Sequence, residues 1–494
     1  MFDSGFYRIA TAIPTIKVAD IQANVTEIIG LISGANEEDA DVVVFPELCV
    51  TGYTCADLFL QSYFIDEAIG GVLDISMATK DMDIVSIVGA PLYFNGALYN
   101  CAFVLQHGAI KGIVPKQHIP NYGEFYEARW FKSGSEIPAG AFHKGLNAPI
   151  GTNFIFGEAH FKFGVEICED LWTPIPPSSY LAQAGADVIF NLSASNEMVG
   201  KHDYLVSLLS QQSARTISVY AYASAGIGES TTDLVFAGNG MVFENGQLIS
   251  SADRFCRESQ IVFADIDLNK IKAMRAKTNT FKSLAANYQM IDLVFNDALP
   301  VENIVRNFDP HPFIPKDERS IRERCEEIFN IQVWGLAQRM EASHSKRAVV
   351  GISGGLDSTL ALLVTAKTFD VLGWDRKNII GITMPGFGTT GRTYNNAINL
   401  MKALGVEVRE ISIKEACIQH FKDINLPESD RSVTYENSQA RERTQILMDI
   451  ANREGGLVVG TGDLSELALG WATYNGDQMS MYGVNASVPK TLVK

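Results

Sequence analysis

Six residues, Ser353-Gly354-Gly355-Leu356-Asp357-Ser358, constrain the fold of this chain more than any other stretch. They follow an apolar run, Ala348-Val349-Val350-Gly351-Ile352, that reads as a buried parallel strand, and residues 359–364 after them read as the start of a helix. A Ser/Gly turn between strand and helix points backbone N–H groups at a common point, with the helix dipole behind them. Two glycines let the backbone come close to an oxyanion, and two serines add hydroxyl donors. Asp357 carries the same sign of charge as a phosphate, so its place here makes sense if a divalent cation sits between them. The Walker pattern, which needs G-x-x-x-x-G-K-[ST], is not what this loop spells.

The loop resembles that of the ATP pyrophosphatases, enzymes that split ATP into AMP and pyrophosphate while activating a carbonyl or carboxylate. The resemblance implies that Ser353, Gly354, Gly355, Asp357 and Ser358 bind ATP. Further strands read at 378–384, 406–411 and 456–461, with helical patterns between them. That order indicates a doubly wound parallel sheet, whose ligand site lies at the carboxyl ends of its strands. Gly460-Thr461-Gly462-Asp463-Leu464-Ser465-Glu466 also follows a strand, so the two loops meet at one sheet edge. Thr461 is then expected to join the ATP-binding set, and Glu466 could share the expected cation, Mg2+, with Asp357.

Residues 1–290 read as one α/β unit. Strands lie at 41–45, 161–167 and 186–191, and helical patterns at 21–31 and 204–216. Asn95-Gly96 and Asn245-Gly246, each flanked by apolar residues, predict tight hairpin turns. Hairpins mixed with helices indicate an α+β sandwich and not a purely parallel sheet. Residues 291–319 read as a linker, because Pro310, Pro312 and Pro315 lack a donor and restrict their predecessors. A helix running to about Arg339 opens the domain 320–494, with Ser320 and Glu323 spaced as a capping box.

Three reactive residue types in the first unit each follow an apolar strand. Glu47 comes after 42–45 through Pro46, Lys116 after Gly112-Ile113-Val114-Pro115, and Cys168 after 161–167. Taken singly, such a cysteine packs as a small hydrophobe and such a charge is a solvated strand end. Together they read as one site. A thiol needs a base to become a good nucleophile. Glu47 can take its proton and return it to a leaving amine. The Lys116 ammonium can hold the tetrahedral oxyanion, helped by the backbone N–H of Glu169.

Phe45-Pro46-Glu47-Leu48, Lys116 with Pro120-Asn121-Tyr122, and Val165-Glu166-Ile167-Cys168-Glu169-Asp170 resemble the Glu-Lys-Cys signature of the nitrilase superfamily of amidases. The likeness spans most of residues 1–290 and is similar in particular to the glutaminase domain of glutamine-dependent NAD synthetases. It implies a nitrilase-like α-β-β-α sandwich in which Tyr53, Tyr122 and Glu169 hold glutamine, with Ser195 a further substrate contact. It also implies a second catalytic glutamate: Glu127 matches the position best, and Glu124 competes for it.

In the second domain, Tyr435-Glu436-Asn437-Ser438-Gln439-Ala440-Arg441-Glu442-Arg443 resembles the N-x-Q-A-R-x-R segment of NAD synthetases. That likeness makes Asn437 and Arg441 substrate-side residues. By helical geometry alone, Arg441 and Arg443 splay to different sides. Residues 467–477 resemble the same family. The resemblance places Glu466 and Lys490 among the residues for deamido-NAD, with Lys490 at the position of a lysine near the triphosphate. Long members of the family continue beyond the segment matching 487–492, whereas this sequence ends at Lys494. The expectation is a shortened second domain with a weak or dead synthetase half.

The two halves together imply glutamine-dependent synthesis of NAD. Cys168 releases ammonia from glutamine, ATP adenylates the nicotinate carboxylate of deamido-NAD, and ammonia displaces AMP. Three readings compete: amidation of another carboxylate or nucleobase, a non-catalytic protein that kept the fold, and a tRNA-modifying pyrophosphatase. Segments 435–443 and 460–477 oppose the first, and intact Glu47, Lys116, Cys168, Asp357 and Glu466 oppose the second. A formal charge of −17 opposes the third and any nucleic-acid partner. No run of about 18 apolar residues suggests a membrane span. The first eight residues lack the basic and apolar regions of a secretory signal. Seven scattered cysteines without a C-x-x-C suit reduced thiols in the cytoplasm. The resemblance further implies a homo-oligomer, with an octamer as its expected size.

Overall fold

The computed structural model describes residues 4–282, 287–295, 297–387, 391–427 and 429–494. Residues 1–3 of the N-terminal segment and Asn296 of the expected linker lie outside the described residues. The chain divides into two compact units, Met1–Asn307 and Phe308–Lys494.

The first unit runs β1 (Phe6–Ile13), α1 (Ile21–Glu37), β2 (Val42–Val44), α2 (Ser62–Ala78), β3 (Val85–Phe94), β4 (Ala97–Gln106), β5 (Ala109–Pro115), the short pair β6 (Phe142–His143) and β7 (Ala148–Pro149), β8 (Phe154–Gly157), β9 (Lys162–Ile167), α3 (Pro177–Gln183), β10 (Val188–Ser193), α4 (Lys201–Thr216), β11 (Val219–Ser224), β12 (Gly240–Glu244), β13 (Gln247–Ser251), β14 (Gln260–Asp267), α5 (Leu268–Lys277) and β15 (Gln289–Asp292). One sheet has the order β14-β1-β2-β3-β4-β5, the other β13-β12-β11-β10-β9-β8-β15. Period-two alternation sets the layers. Val42 and Val44 pack against Phe163, Val165 and Phe190 of the second sheet, while Val43 packs with Ile28, Ile32 and Val72 of α1 and α2. On the far side, Leu181 of α3 and Leu205 and Leu209 of α4 cover Ile189, Tyr220 and Tyr222. The result is an α-β-β-α sandwich. Both predicted turns form, with positive φ at Asn95 (49°) and Gly96 (82°) and at Asn245 (46°) and Gly246 (87°).

The first unit extends past residue 290, where the sequence reading starts a linker. β15 pairs in parallel with β8. Leu299 N–H donates to Phe6 O, Val305 N–H to Asp265, and the Arg306 guanidinium to Glu244 at 2.5 Å. Backbone and charged groups on β1, β12 and β14 therefore hold a segment that reads as a connector through the proline-bearing stretch, Pro310 to Pro315, that follows it.

The second unit runs α6 (Glu318–Ala342), β16 (Arg347–Gly351), α7 (Leu356–Leu372), β17 (Ile379–Thr383), α8 (Gly391–Leu404), β18 (Glu407–Glu410), α9 (Lys414–Asp423), α10 (Val433–Glu454), β19 (Gly456–Gly460), α11 (Leu464–Leu469), β20 (Tyr482–Gly483) and α12 (Lys490–Val493). Its sheet, β18-β17-β16-β19-β20, is parallel throughout. Leu336, Leu362 and Phe369 of α6 and α7 pack on one face and Ile450 and Ala451 of α10 on the other, giving the doubly wound layering. Successive strands leave β16 in one direction as far as β18, and β19 then pairs on its other side. The loops after β16 and β19 are thus neighbours at the switch point.

Two starts differ from the sequence reading. α6 is capped by Asp317, whose side chain accepts from Ser320 N–H, and Glu323 pairs with Arg319 instead of closing a box on Ser320. α7 begins at Leu356, not at Thr359, so Asp357 and Ser358 lie in its first turn. Once Gly355 turns into the helix, its carbonyl accepts from the hydroxyls of Ser358 and Thr359.

Candidate active sites

In the first unit, sharp backbone turns after β2 and β9 place the reactive groups. Glu47 sits in a tight turn whose next residue, Leu48, has φ of 52°. β3 passes so close that a Cβ on Gly89 would lie 2.4 Å from Leu48 N. Cys168 itself has φ of 45°, a strained conformation that lifts a nucleophile out of its strand end. The Asp170 carboxylate holds the elbow to the Lys116 loop, accepting N–H bonds from Ile167, Gln117 and His118.

Lys116 follows β5 and is fully buried. Its Nζ donates to Glu47 Oε1 at 2.6 Å and to both oxygens of Glu127 at 2.8 Å. Burial opposes charge on this amine, but Glu127 and Glu47 outweigh it and raise its pKa, so it remains an ammonium. Glu127 accepts a second bond from the Tyr53 hydroxyl at 2.8 Å. Its own pKa is raised, by burial first and by Glu47 against the opposing pull of Lys116. Asn100 Nδ2 donates to Glu47 Oε1 at 2.6 Å, while Glu47 Oε2 is buried with no hydrogen-bond partner among the described residues. An open, buried carboxylate oxygen is an acceptor held ready for a proton. The Cys168 thiol is pushed well up by burial and by the Glu47 charge, with Lys116 and the Ala194 backbone N–H pulling the other way. It rests as a thiol.

A cavity of about 410 Å3 opens over Cys168, lined also by Tyr122, Glu169, Trp172, Ser195 and Lys201. The Tyr122 hydroxyl donates to Glu169 at 2.8 Å. Ser195 is buried at the wall, its N–H bonded to the Ser224 hydroxyl. Tyr53 faces Glu127 and a neighbouring cavity lined by Thr54 and Trp130. Glu124 lines both cavities and accepts from Asn196 at 2.7 Å, so of the two competing glutamates Glu127 is the one bonded to Lys116. Sequence reasoning missed Asn100 and Lys201. A polar residue amid the apolar run of β4 was a signal for the first. Lys201 had none, because only the folded chain lays its Nζ 5.3 Å from the Trp172 ring centroid, donating to Asn196 at 2.6 Å.

In the second unit, Gly354 has φ of 83°, and a Cβ there would lie 2.1 Å from Thr393 O, so this turn requires glycine. Ser353 and Ser358 hydroxyls lie 3.1 Å apart across the loop. Asn485, fully buried, donates from Nδ2 to Asp357 O and to Thr461 O, both at 3.0 Å, and so pins the two loops together. Sequence reading passed over this residue, since its partners lie in segments remote along the chain. Asp357, Asp463 and Glu466 present carboxylate oxygens within 4.8 Å of one another. Lys490 pairs with Asp357 and, at 3.2 Å, with Asp463. Asn437 and Arg441 lie on α10 and bond to the Thr473 hydroxyl (2.9 Å) and Tyr474 O (3.2 Å) respectively.

An elbow cysteine backed by a buried Glu–Lys–Glu chain in an α-β-β-α sandwich defines a carbon–nitrogen hydrolase. A Ser-Gly-Gly loop with facing carboxylates at a parallel-sheet switch point defines a nucleotide-binding synthase domain. The carbon-nitrogen hydrolase family matches residues 8–276 and the NAD synthase family matches residues 328–494. The chain is 39% identical over 510 residues to a glutamine-dependent NAD(+) synthetase of Mycobacterium leprae, covering 100% of this chain and 75% of that protein. It is 30% identical over 491 residues to that of Thermotoga maritima, covering 98% and 79%. A solved glutamine-dependent NAD+ synthetase from Acinetobacter baumannii, in complex with ADP, superposes with a TM-score of 0.46 at 26% identity, covering 99% of this chain and 80% of that one. The chain belongs to the glutamine-dependent NAD(+) synthetase family.

Proposed function

We propose that the chain carries the two sites that make NAD from deamido-NAD, ATP and glutamine, however far its second domain is shortened, with the following division of labour. Glutamine enters the cavity over Cys168 with its side-chain amide toward the thiol. Lys201 and the Tyr122–Glu169 pair suit its α-carboxylate and α-ammonium. Glu47 takes the thiol proton as sulfur attacks the amide carbon, and the oxyanion meets the Lys116 ammonium and the Glu169 backbone N–H. Collapse of the tetrahedral species transfers the proton from Glu47 to the leaving nitrogen, releasing ammonia and a glutamyl thioester. Water, activated by the same carboxylate, then hydrolyses the thioester to glutamate. Glu127, with Tyr53 behind it, keeps Lys116 charged and aimed.

In the second unit, the Ser353–Ser358 hydroxyls and the N-terminus of α7 face the ATP phosphates. The nicotinate carboxylate of deamido-NAD attacks the α-phosphorus and pyrophosphate leaves. Ammonia then attacks the acyl carbon and AMP leaves, giving the amide of NAD. Asn437 and Arg441 lie on the deamido-NAD side, and Thr461 and Lys490 on the phosphate side. Asp357 Oδ1 is buried with no hydrogen-bond partner among the described residues, and with Asp463 and Glu466 nearby the donor set fits Mg2+. When bound, the ion neutralises phosphate charge. Among the described residues no helix is long and apolar enough to cross a membrane. We carry a cytoplasmic homo-oligomer, an octamer by resemblance, as part of this reading.

The observation that carries the reading is the fully buried Lys116 held by Glu47 and Glu127 beside a strained cysteine. The test is NAD formation from deamido-NAD and ATP, with glutamine and ammonium compared and nucleotides separated by chromatography. AMP and pyrophosphate are expected with either nitrogen source. ADP as the stoichiometric product, or the same AMP release when NAD replaces deamido-NAD, overturns it.

A further inference from the structure

We propose that Lys490 is a resident counter-ion of the Asp357–Asp463–Glu466 cluster, seated where a divalent cation has to bind and displaced when the cation arrives. The proposal rests on the reading of Asp357 and Glu466 as cation ligands. Lys490 Nζ pairs with Asp357 Oδ2 and lies 3.2 Å from Asp463 Oδ2. The three carboxylates converge within 4.8 Å. A small divalent ion would draw on carboxylate oxygens of the same cluster, the unpartnered Asp357 Oδ1 among them, at about 2.1 Å. An ammonium and a metal ion cannot both sit against one cluster this small, because like charges at such a separation repel strongly even with solvent nearby. Three carboxylates against one ammonium leave net negative charge, so the lysine holds the cluster without saturating it.

The geometry also says which partner moves. Asp463 is fully buried, and its Oδ1 is committed to capping α11 through Glu466 N–H at 2.9 Å. Asp357 is fixed in the first turn of α7, with its carbonyl held by Asn485. The Lys490 side chain is 45% exposed on a flexible stem, while its backbone N–H is tied to the Ser465 hydroxyl at 3.0 Å. The lysine is therefore anchored beside the cluster with a mobile head. A triphosphate offers that head a second anionic partner. Nucleotide and cation then help each other to bind, and by linkage the help is reciprocal.

The experiment titrates the full chain with Mn2+ in the absence of nucleotide and reads free Mn2+ by electron paramagnetic resonance. Lys490→Met is expected to bind Mn2+ about tenfold more tightly than the parent chain, whereas Lys490→Arg, which keeps the cation, should stay within about twofold of it. Asp357→Asn should abolish binding. If Asp357→Asn abolishes binding but Lys490→Met binds no more tightly than the parent, the counter-ion proposal is overturned and the cation site stands. If Mn2+ binding ignores Asp357→Asn, the cation site itself falls. A second measurement needs no variant: acylation of the Lys490 amine, followed by peptide mass spectrometry, should rise as Mn2+ is added. Constant labelling up to saturating Mn2+ overturns the proposal.

Discussion

Both carboxylate oxygens of Glu127 accept from Lys116 Nζ at 2.8 Å, and the two side chains are only 2% and 0% exposed. A buried ammonium needs buried carboxylates to stay charged, and on the proposed reading Glu47 serves also as the base. Glu127→Gln should therefore lower glutamine hydrolysis about 100-fold to 1000-fold, through kcat more than KM, because it weakens the stabiliser of the oxyanion. Ammonium-supported NAD synthesis should be unchanged. Glu127→Ala should in addition lower the unfolding free energy of the first unit by about 3–5 kcal/mol in denaturant titrations.

Cys168→Ala should abolish glutamine-supported synthesis and spare ammonium-supported synthesis, since on the proposed reading the thiol acts only in amide cleavage. Steady-state NAD formation with each nitrogen source checks this. Equal loss with both sources would remove Cys168 from the role of nucleophile.

Asp357→Ala and Glu466→Ala should each remove synthesis with both nitrogen sources, because on the proposed reading each takes a ligand from a cation that shields the phosphates. Labelling of Cys168 by a glutamine-like electrophile should persist and serves as the folding control. Normal synthesis with normal magnesium dependence in either variant sinks the shared-cation arrangement.

Glu166, buried behind the elbow, accepts from Ser178 N–H and the Tyr220 hydroxyl, and burial pushes its carboxyl up from 4.5 to about 7. A carboxyl raised on folding favours the folded state when protonated, so its contribution is complete below pH 4.5 and is lost as pH rises to about 7. Glu166→Gln mimics the protonated group. Its stability relative to the parent chain should rise by up to about 3 kcal/mol between pH 4.5 and pH 8, measured by denaturant unfolding at several pH values. A difference that stays flat with pH, or falls, contradicts this.

Much of the site was legible because its chemistry lies at the ends of apolar runs. The strands before Glu47, Lys116, Cys168 and Ser353 announce themselves by hydrophobicity, and the Asn-Gly pairs at 95–96 and 245–246 demand the positive φ that the hairpins show. The helix start at Leu356 and the Asp317 cap were misplaced, because several polar residues compete for a cap and only the folded turn chooses among them. Residues 291–307 read as a linker only with the prolines at 310, 312 and 315 that follow them, yet Arg306 and Val305 bind Glu244 and Asp265 on strands far back in the chain.

By itself, the sequence determined which residue types stand after which strands, and hence the reaction chemistry on offer: a thiol, a base, an ammonium and an anion-binding turn. Tertiary structure alone decided that Glu127 and not Glu124 reaches Lys116, that Asn100 holds Glu47, that Lys201 overlooks the cavity, and that Asn485 and Lys490 close on Asp357. The reason is physical. Strand ends and turns are set by short-range periodicity and backbone freedom. The partner of a buried charge is set by which remote segments the sheets and helices bring within about 3 Å, and local sequence carries no record of that distance.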